Sequence, residues 1–163
     1  MNKLTHFDIG KNSSVVALKL WNNRLTSFDM GTNNTMDELY LSENNITSFK
    51  LRNTQKLKIL NLFHNKLTEF PMGDNQSLEE LDLSNNQIPH FTLGKNKTVK
   101  QLFLNCNLIK DFDIDKNTSI HHLDISKNFL TKFDLKGNQS LKILGLSENK
   151  LTSFDMQDNN SIR

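Results

Sequence analysis

The sequence contains very few cysteine, proline, glycine, tryptophan and tyrosine residues. Its 163 residues include one cysteine, two prolines, six glycines, one tryptophan and one tyrosine. The single Cys106 cannot form an internal disulfide, which excludes a disulfide-stapled scaffold and suits a reducing compartment. Neither Cys106 nor any other residue lies in a pattern that predicts nucleophilic catalysis.

Long hydrophobic runs and an excess of one charge are also missing. No apolar run approaches 18 residues, and residues 1–6 lack the apolar segment of a secretory signal. The 20 basic and 18 acidic residues give a formal net charge of +2, with no run of Lys or Arg. We therefore expect no membrane span, no nucleic-acid partner and a cytoplasmic location.

A 21-residue period dominates what is present. Parallel columns with the same spacing begin at Leu20, Asn23 and Leu25, and the asparagine column has no exception. A fixed period of this length is typical of a solenoid, in which each repeat packs only on its neighbours. The leading column consists of leucines: Leu18, Leu39, Leu60, Leu81, Leu102, Leu123 and Leu144.

The written repeat, L-x-x-L-x-L-x-x-N-x-L, resembles the leucine-rich repeat family. The resemblance implies a mostly β solenoid, a right-handed superhelix with a parallel front sheet. It covers one domain, residues 1–163: a partial repeat 1–14, seven full repeats 15–161, and the start of another at 162–163. Alternation predicts front strands, with outward residues between inward leucines, near 17–21, 38–42, 59–63, 80–84, 101–105, 122–126 and 143–147.

The second half of each repeat echoes the first as F-x-L-x-x-N. This nested pattern resembles the bacterial subclass called IRREKO repeats. The back segment is too short and too rich in Asn, Asp and Thr for a helix, so we expect it to be extended. Its second asparagine column is interrupted only by Thr54. The phenylalanines are predicted to form a buried spine: Phe7, Phe28, Phe49, Phe70, Phe91, Phe112, Phe133 and Phe154.

Neither end of the sequence carries a polar capping segment. Solenoids need caps to cover the last apolar layer. The pattern therefore predicts that the chain is part of a longer array, or that its uncapped ends associate end to end.

The outward positions of the front strands are the candidate partner-binding surface. Exposed aromatic residues are typical binding anchors, although aromatics on an open sheet can simply support their strands. Trp21, Tyr40, Ile59 and Phe63 are expected to cluster across the first three repeats, with Phe103 further along. The candidate residues are Trp21, Tyr40, Ile59, Phe63, Phe103, Glu38 and Asp82.

Two patterns raise the question of a metal. Asp8, Asp29, Asp113, Asp134 and Asp155 follow the spine phenylalanines, and could hold a cation or accept hydrogen bonds from nearby hydroxyl and N–H groups. His122 and Asp124 share a face, but His121 points elsewhere, which favours a simple surface pair. We predict no catalytic residue, no metal site and no cofactor.

The resemblance implies a non-enzymatic scaffold that binds a protein partner through its front sheet. One alternative is a carbohydrate or cell-surface binding module, because aromatics flanked by Asn, Asp and Glu suit sugars. Another is a repeat fragment of a larger effector, or a truncated remnant without independent function.

Overall fold

The structure is a computed structural model that describes residues 2–51, 56–114, 119–156 and 159–162. These residues form one parallel sheet of seven strands in chain order, and no helix. Each strand from the first to the sixth pairs with the next one in register, so that every residue pairs with the residue 21 positions later, as Leu18 does with Leu39. The strands are β1 Ala17–Lys19, β2 Glu38–Tyr40, β3 Ile59–Asn61, β4 Glu80–Asp82, β5 Gln101–Phe103, β6 His122–Asp124 and β7 Ile143–Gly145.

The strands are three residues long, not the five that alternation predicts. Backbone pairing between rungs nevertheless continues past the strand: the Leu20 N–H donates to the Tyr40 carbonyl at 2.8 Å, and the Asn22 N–H donates to Ser42 at 2.9 Å. The extended path ends because Asn22 has a φ of 57°. The same left-handed conformation recurs once per rung at Glu43, His64, Asn85, Cys106, Lys127 and Glu148.

The core is a continuous stack of aliphatic layers between the front strands and the back segments. The central leucines of β2 to β6 are fully buried, while Leu18 and Leu144 in the two outer strands are only half-buried. Because each layer is covered by the rungs beside it, burial is complete mid-array and partial at the ends.

The phenylalanine spine is confirmed along most of its length. Six of its rings, from Phe28 to Phe133, are 3–9% exposed. Phe7 is half-buried and Phe154 is 37% exposed. Neighbouring rings of the run Phe91, Phe112, Phe133 and Phe154 lie 6.0–6.4 Å apart. This spacing exceeds the roughly 4.8 Å between neighbouring strands, so the rungs lie further apart at the rings than at the strands.

The first asparagine column forms the expected ladder. Asn86 donates from Nδ2 to the carbonyls of Leu62, Leu83 and Ser84 at 3.0–3.2 Å, and its Oδ1 accepts the N–H of Leu67 at 2.9 Å. Each side chain therefore satisfies its own turn and links it to the preceding rung.

The second asparagine column does the same for the back turn. The Asn96 Oδ1 accepts the N–H groups of Thr98 and Val99 at 3.0 Å, while its Nδ2 donates to the Asn75 carbonyl at 2.7 Å. Asn33, Asn138 and Asn159 bind the turn that follows them in the same way. The predicted exception, Thr54, lies outside the described residues, as does Asn117.

The aspartates after the spine act as hydrogen-bond acceptors. The Oδ1 atoms of Asp8, Asp29 and Asp134 each accept the backbone N–H two residues on, at 2.7–2.9 Å. At Gly10 and Gly31 that residue has a φ near 60°, a conformation that glycine adopts without steric cost. The hydrogen-bonding interpretation of the aspartates thus holds for these three.

Candidate protein-binding surface

The seven candidate residues lie on the outward side of the front sheet or directly after its strands. Trp21 is the most open of them, with 56% of its surface exposed. The other six are half-buried. The sheet register places Glu38 beside Ile59 and Asp82 beside Phe103.

Tyr40 is the centre of a charged group in the first rungs. The Lys19 ammonium lies 5.3 Å from the centre of the Tyr40 ring, and the Tyr40 hydroxyl donates to the Glu38 carboxylate at 3.3 Å. Partial burial and the carboxylates of Glu38 and Glu80 raise the pKa of Tyr40. The phenol therefore stays protonated and remains a hydrogen-bond donor on this face.

Phe63 has its closest aromatic contact within its own rung. Its ring lies 5.8 Å from that of His64, at an interplanar angle of 42°. His64 itself adopts the left-handed conformation, with a φ of 51°. The structure therefore groups Phe63 with His64, and Tyr40 with Lys19 and Glu38.

Phe103 lies at the centre of a second group. The sheet register places its residue between Asp82 on one side and Asp124 on the other. The His122 ring meets the Phe103 ring edge-on at 4.8 Å, with an interplanar angle of 77°. This group combines an apolar ring with two carboxylates and an imidazole, and lies two rungs from Phe63.

The two carboxylates of this group are held in the same way. The Ser84 hydroxyl and N–H donate to Asp82 Oδ1 at 2.5 and 2.9 Å, and Asn61 donates to its Oδ2 at 3.3 Å. Ser126 binds Asp124 through the same pair of donors. Burial, with a smaller contribution from Asp124, raises the pKa of Asp82 despite the hydrogen bonds that favour its ionised form.

The polar residues that hold this surface in place were predictable only in part, since the predicted set contains Glu38 and Asp82. Lys19, Ser84 and Ser126 are absent from the predicted set. The signal was available as Asp-x-Ser, which occurs at 82–84 and again two repeats later at 124–126. The sequence predicts a simple surface pair of His122 and Asp124, whereas in the structure the His122 ring contacts Phe103.

The remaining chemistry of the described residues is limited. Within the described ranges no three His, Cys, Asp or Glu side chains lie close enough together to hold a metal ion. Cys106 is half-buried, and Asn105 is within 3.9 Å of its sulfur. The part of the chain that the structure describes contains no helix long and apolar enough to cross a membrane.

Comparison with known proteins identifies the repeat. A family model described as a leucine-rich repeat matches residues 74–88. No curated protein matches the chain. The chain is similar in structure to the functional domain of InlJ from Listeria monocytogenes, with a TM-score of 0.75. That domain includes a cysteine ladder. It is 24% identical, over 98% of this chain and 40% of that one.

Two further solved structures share the architecture. A leucine-rich repeat protein of Leptospira interrogans has a TM-score of 0.72 and 25% identity, over 85% of this chain and 44% of its own. YopM from Yersinia enterocolitica has a TM-score of 0.59 and 20% identity, over 93% of this chain and 41% of its own. This chain thus spans about two fifths of the length of each of the three. The matched repeat and these similarities show that this chain has the leucine-rich repeat fold.

Proposed function

We propose that this chain is a non-enzymatic scaffold that binds a protein partner through its front sheet. The observation that carries the proposal is Trp21, which keeps 56% of its surface exposed on the same face as Tyr40 and Phe63. Exposing a tryptophan to water is unfavourable, and tryptophan and tyrosine are enriched among the residues that dominate binding energy. Leucine-rich repeat proteins generally act as such scaffolds.

The polar neighbours favour a protein partner that brings hydrogen-bonding groups of its own. Glu38 and Asp82 are half-buried carboxylates beside apolar side chains, so a partner that covers them must supply donors. Tyr40 offers a ring and a protonated hydroxyl at one point. The face therefore presents apolar anchors with polar groups around them, as the centres and rims of protein interfaces do.

The test compares two variants of the immobilised chain as baits for partners in a bacterial lysate. The variant Tyr40→Ala/Phe63→Ala should lose the captured protein while keeping nearly the same melting temperature. Phe129→Ala is the matched control, because Phe129 is 38% exposed and lies beyond the front strands. Capture by the double variant at the level of the unmodified chain would remove this aromatic surface as the binding site.

A carbohydrate-binding function is the second candidate, and the Phe103 group favours it. An apolar ring flanked by Asp82 and Asp124 offers a sugar a stacking surface and hydrogen-bond acceptors. Binding on a glycan array that Phe103→Ala abolishes, and that Tyr40→Ala/Phe63→Ala leaves intact, would favour this function over protein binding.

We also infer that the 21-residue unit is of the nested bacterial type. The support is that each half of the unit carries an asparagine that bonds both its own turn and the preceding rung. In the first column Nδ2 bonds the asparagine's own turn and Oδ1 accepts from the preceding rung, whereas in the second column Oδ1 bonds its own turn and Nδ2 donates to the preceding rung.

A further inference from the structure

A groove runs along the back half of the solenoid, away from the front sheet. It crosses five consecutive rungs and encloses about 1030 Å³. This volume is at the upper end of the range of small-molecule pockets, and its extent along five rungs suits a linear occupant. Its lining includes the spine residues Phe70, Phe91, Phe112, Phe133 and Phe154.

Acidic groups dominate the edges of this groove. Its lining includes two lysines, Lys132 and Lys136, and five carboxylates. These groups give a net charge of −3, in a chain whose formal charge is +2. Lys136 is paired with Asp113 at 2.5 Å, which leaves Lys132 and four carboxylates outside that ion pair. The groove thus favours a cationic occupant. The carboxylates are Glu69, Asp111, Asp113, Asp134 and Asp155.

The ring spacing selects the conformation of that occupant. From Phe91 to Phe154, successive rings lie 6.4, 6.3 and 6.0 Å apart. An extended peptide advances about 3.3 Å per residue and returns to the same face every second residue, about 6.6 Å on. Alternate side chains of an extended peptide running along the solenoid would therefore meet successive rings. Seven residues would span the four rings.

We propose that this groove binds an extended basic peptide segment with Arg or Lys at every second position. The aliphatic stems of those side chains pack over the edges of the phenylalanine rings, and their charged ends reach the carboxylates. Arginine and lysine both bury their aliphatic stems on apolar surfaces while their charged ends stay at the polar edge. This site lies on the opposite half of the rung from the front sheet and does not depend on the function proposed for it.

The experiment uses labelled heptapeptides and fluorescence anisotropy with the full chain. Arg-Ser-Arg-Ser-Arg-Ser-Arg places four arginines at the ring spacing, while Arg-Arg-Arg-Arg-Ser-Ser-Ser has the same composition and charge without it. The alternating peptide should bind at least fivefold more tightly, and added salt should weaken its binding. Equal affinity of the two peptides would overturn the proposal, because charge alone would then explain the attraction.

Substitutions in the chain locate the site. Glu69→Gln/Asp111→Asn removes two exposed charges from the groove and should weaken binding of the alternating peptide about fivefold to tenfold, because exposed ion pairs are individually weak. Glu43→Gln/Glu148→Gln is the matched control, since it removes two exposed charges outside the groove, and it should change affinity less than twofold. The front-sheet variant Tyr40→Ala/Phe63→Ala should bind normally.

Three results would contradict the proposal. Equal loss in the groove variant and its control would reduce the effect to net charge, and loss in the front-sheet variant would move the peptide to the other face. The third result is binding of a neutral oligosaccharide and of neither peptide. If the groove variant left the affinity for that oligosaccharide unchanged, the groove would be assigned to sugars.

Discussion

At the scale of single residues, the two asparagine columns supply the hydrogen bonds that both turns of each rung require. A carboxamide carries an acceptor and two donors on one short side chain, so it can bind N–H and C=O groups of two rungs at once. Aspartate lacks the donors, and serine has only one. Asparagine at these positions is therefore dictated by the backbone groups that each turn leaves buried.

Replacing Asn86 by Ala should lower the free energy of unfolding by about 1–3 kcal/mol, because its four backbone partners lose their hydrogen bonds in a buried site. Chemical denaturation of the purified variant measures this loss. Asn34→Ala is the matched control, because Asn34 is exposed and adjoins the ladder residue Asn33. Asn22 is unsuitable as a control, since it adopts a positive φ and donates to Glu43. Similar losses at positions 86 and 34 would contradict the role of the ladder.

The position before each first-column asparagine gives a second prediction. Asn85 has a φ of 54°, which β-branched residues rarely adopt. Asn85→Val should therefore destabilise the chain by about 1–2 kcal/mol relative to Asn85→Gly. Thermal denaturation of the two variants makes the comparison. Valine has the higher β-propensity, so a more stable Val variant would mean that strand preference outweighs backbone strain here.

Asp82 gives a prediction about pH. Burial raises its pKa in the folded chain, so the folded state holds this proton more tightly than the unfolded state does. Stability from this group is therefore present below the unfolded pKa of about 4 and is lost as the pH rises through the folded value. Asp82→Asn should gain stability relative to the unmodified chain across this pH range, in denaturation curves recorded at several pH values.

The informative quantity is the change with pH in the stability difference between Asp82→Asn and the unmodified chain. The new carboxamide also alters the contact with Asn61, but this contributes an amount that does not depend on pH. Asp111→Asn, which removes an exposed charge in the back half, is the control for the loss of one charge. A difference between Asp82→Asn and the unmodified chain that stays flat with pH would show that burial of this carboxylate costs nothing.

At the scale of the element, the rung was largely predictable from the sequence. The period gave the position of every strand, the inward leucines and the phenylalanine spine, because burial of one fixed face leaves a regular trace in residue type. The residues at which the strands end were harder to predict. The residues with positive φ before the ladder asparagine include Asn, Glu, His, Cys and Lys, so no glycine marks the turn.

The candidate sites were predicted less completely, for a physical reason. A 21-residue register places Phe103 between Asp82 and Asp124, but the edge-on contact with His122 depends on side-chain rotamers that the register does not specify. The back groove lies along the phenylalanine spine, where neighbouring ring centres are 6.0–6.4 Å apart. The sequence predicts that these rings are buried, which they largely are, but the repeat register does not show that they also line a groove.

The spine gives the prediction at this scale. Phe112 packs between Phe91 and Phe133, with ring centres 6.4 and 6.3 Å away. Phe112→Ala should cost about 3–5 kcal/mol, as expected for a large cavity in a packed core. Phe129→Ala should cost about 1 kcal/mol or less, because that ring is 38% exposed and its described contact is with Lys150 at 4.8 Å. Equal losses in urea denaturation would contradict the assignment of the spine.

At the scale of the whole molecule, stability is distributed along one dimension. Strand contacts join only consecutive rungs, and the sheet order follows the chain order from β1 to β7. Such arrays behave approximately as a sum of repeat stabilities and nearest-neighbour terms. A rung in the middle has two such neighbours, whereas the outermost described strands have one each.

The same substitution should therefore have different effects along one column. Leu81→Ala removes a fully buried side chain from the central strand β4 and should cost about 2–5 kcal/mol. Leu144→Ala acts on a half-buried leucine in β7, and should cost less than half as much. Hydrogen exchange should show the same gradient, with slow amides in β3 to β5 and faster ones in β1 and β7. Because the two leucines share one repeat position, chemistry alone predicts equal effects. Equal losses, with uniform exchange protection from β1 to β7, would mean that the array unfolds as one cooperative block and that nearest-neighbour coupling exceeds the stability of any single rung.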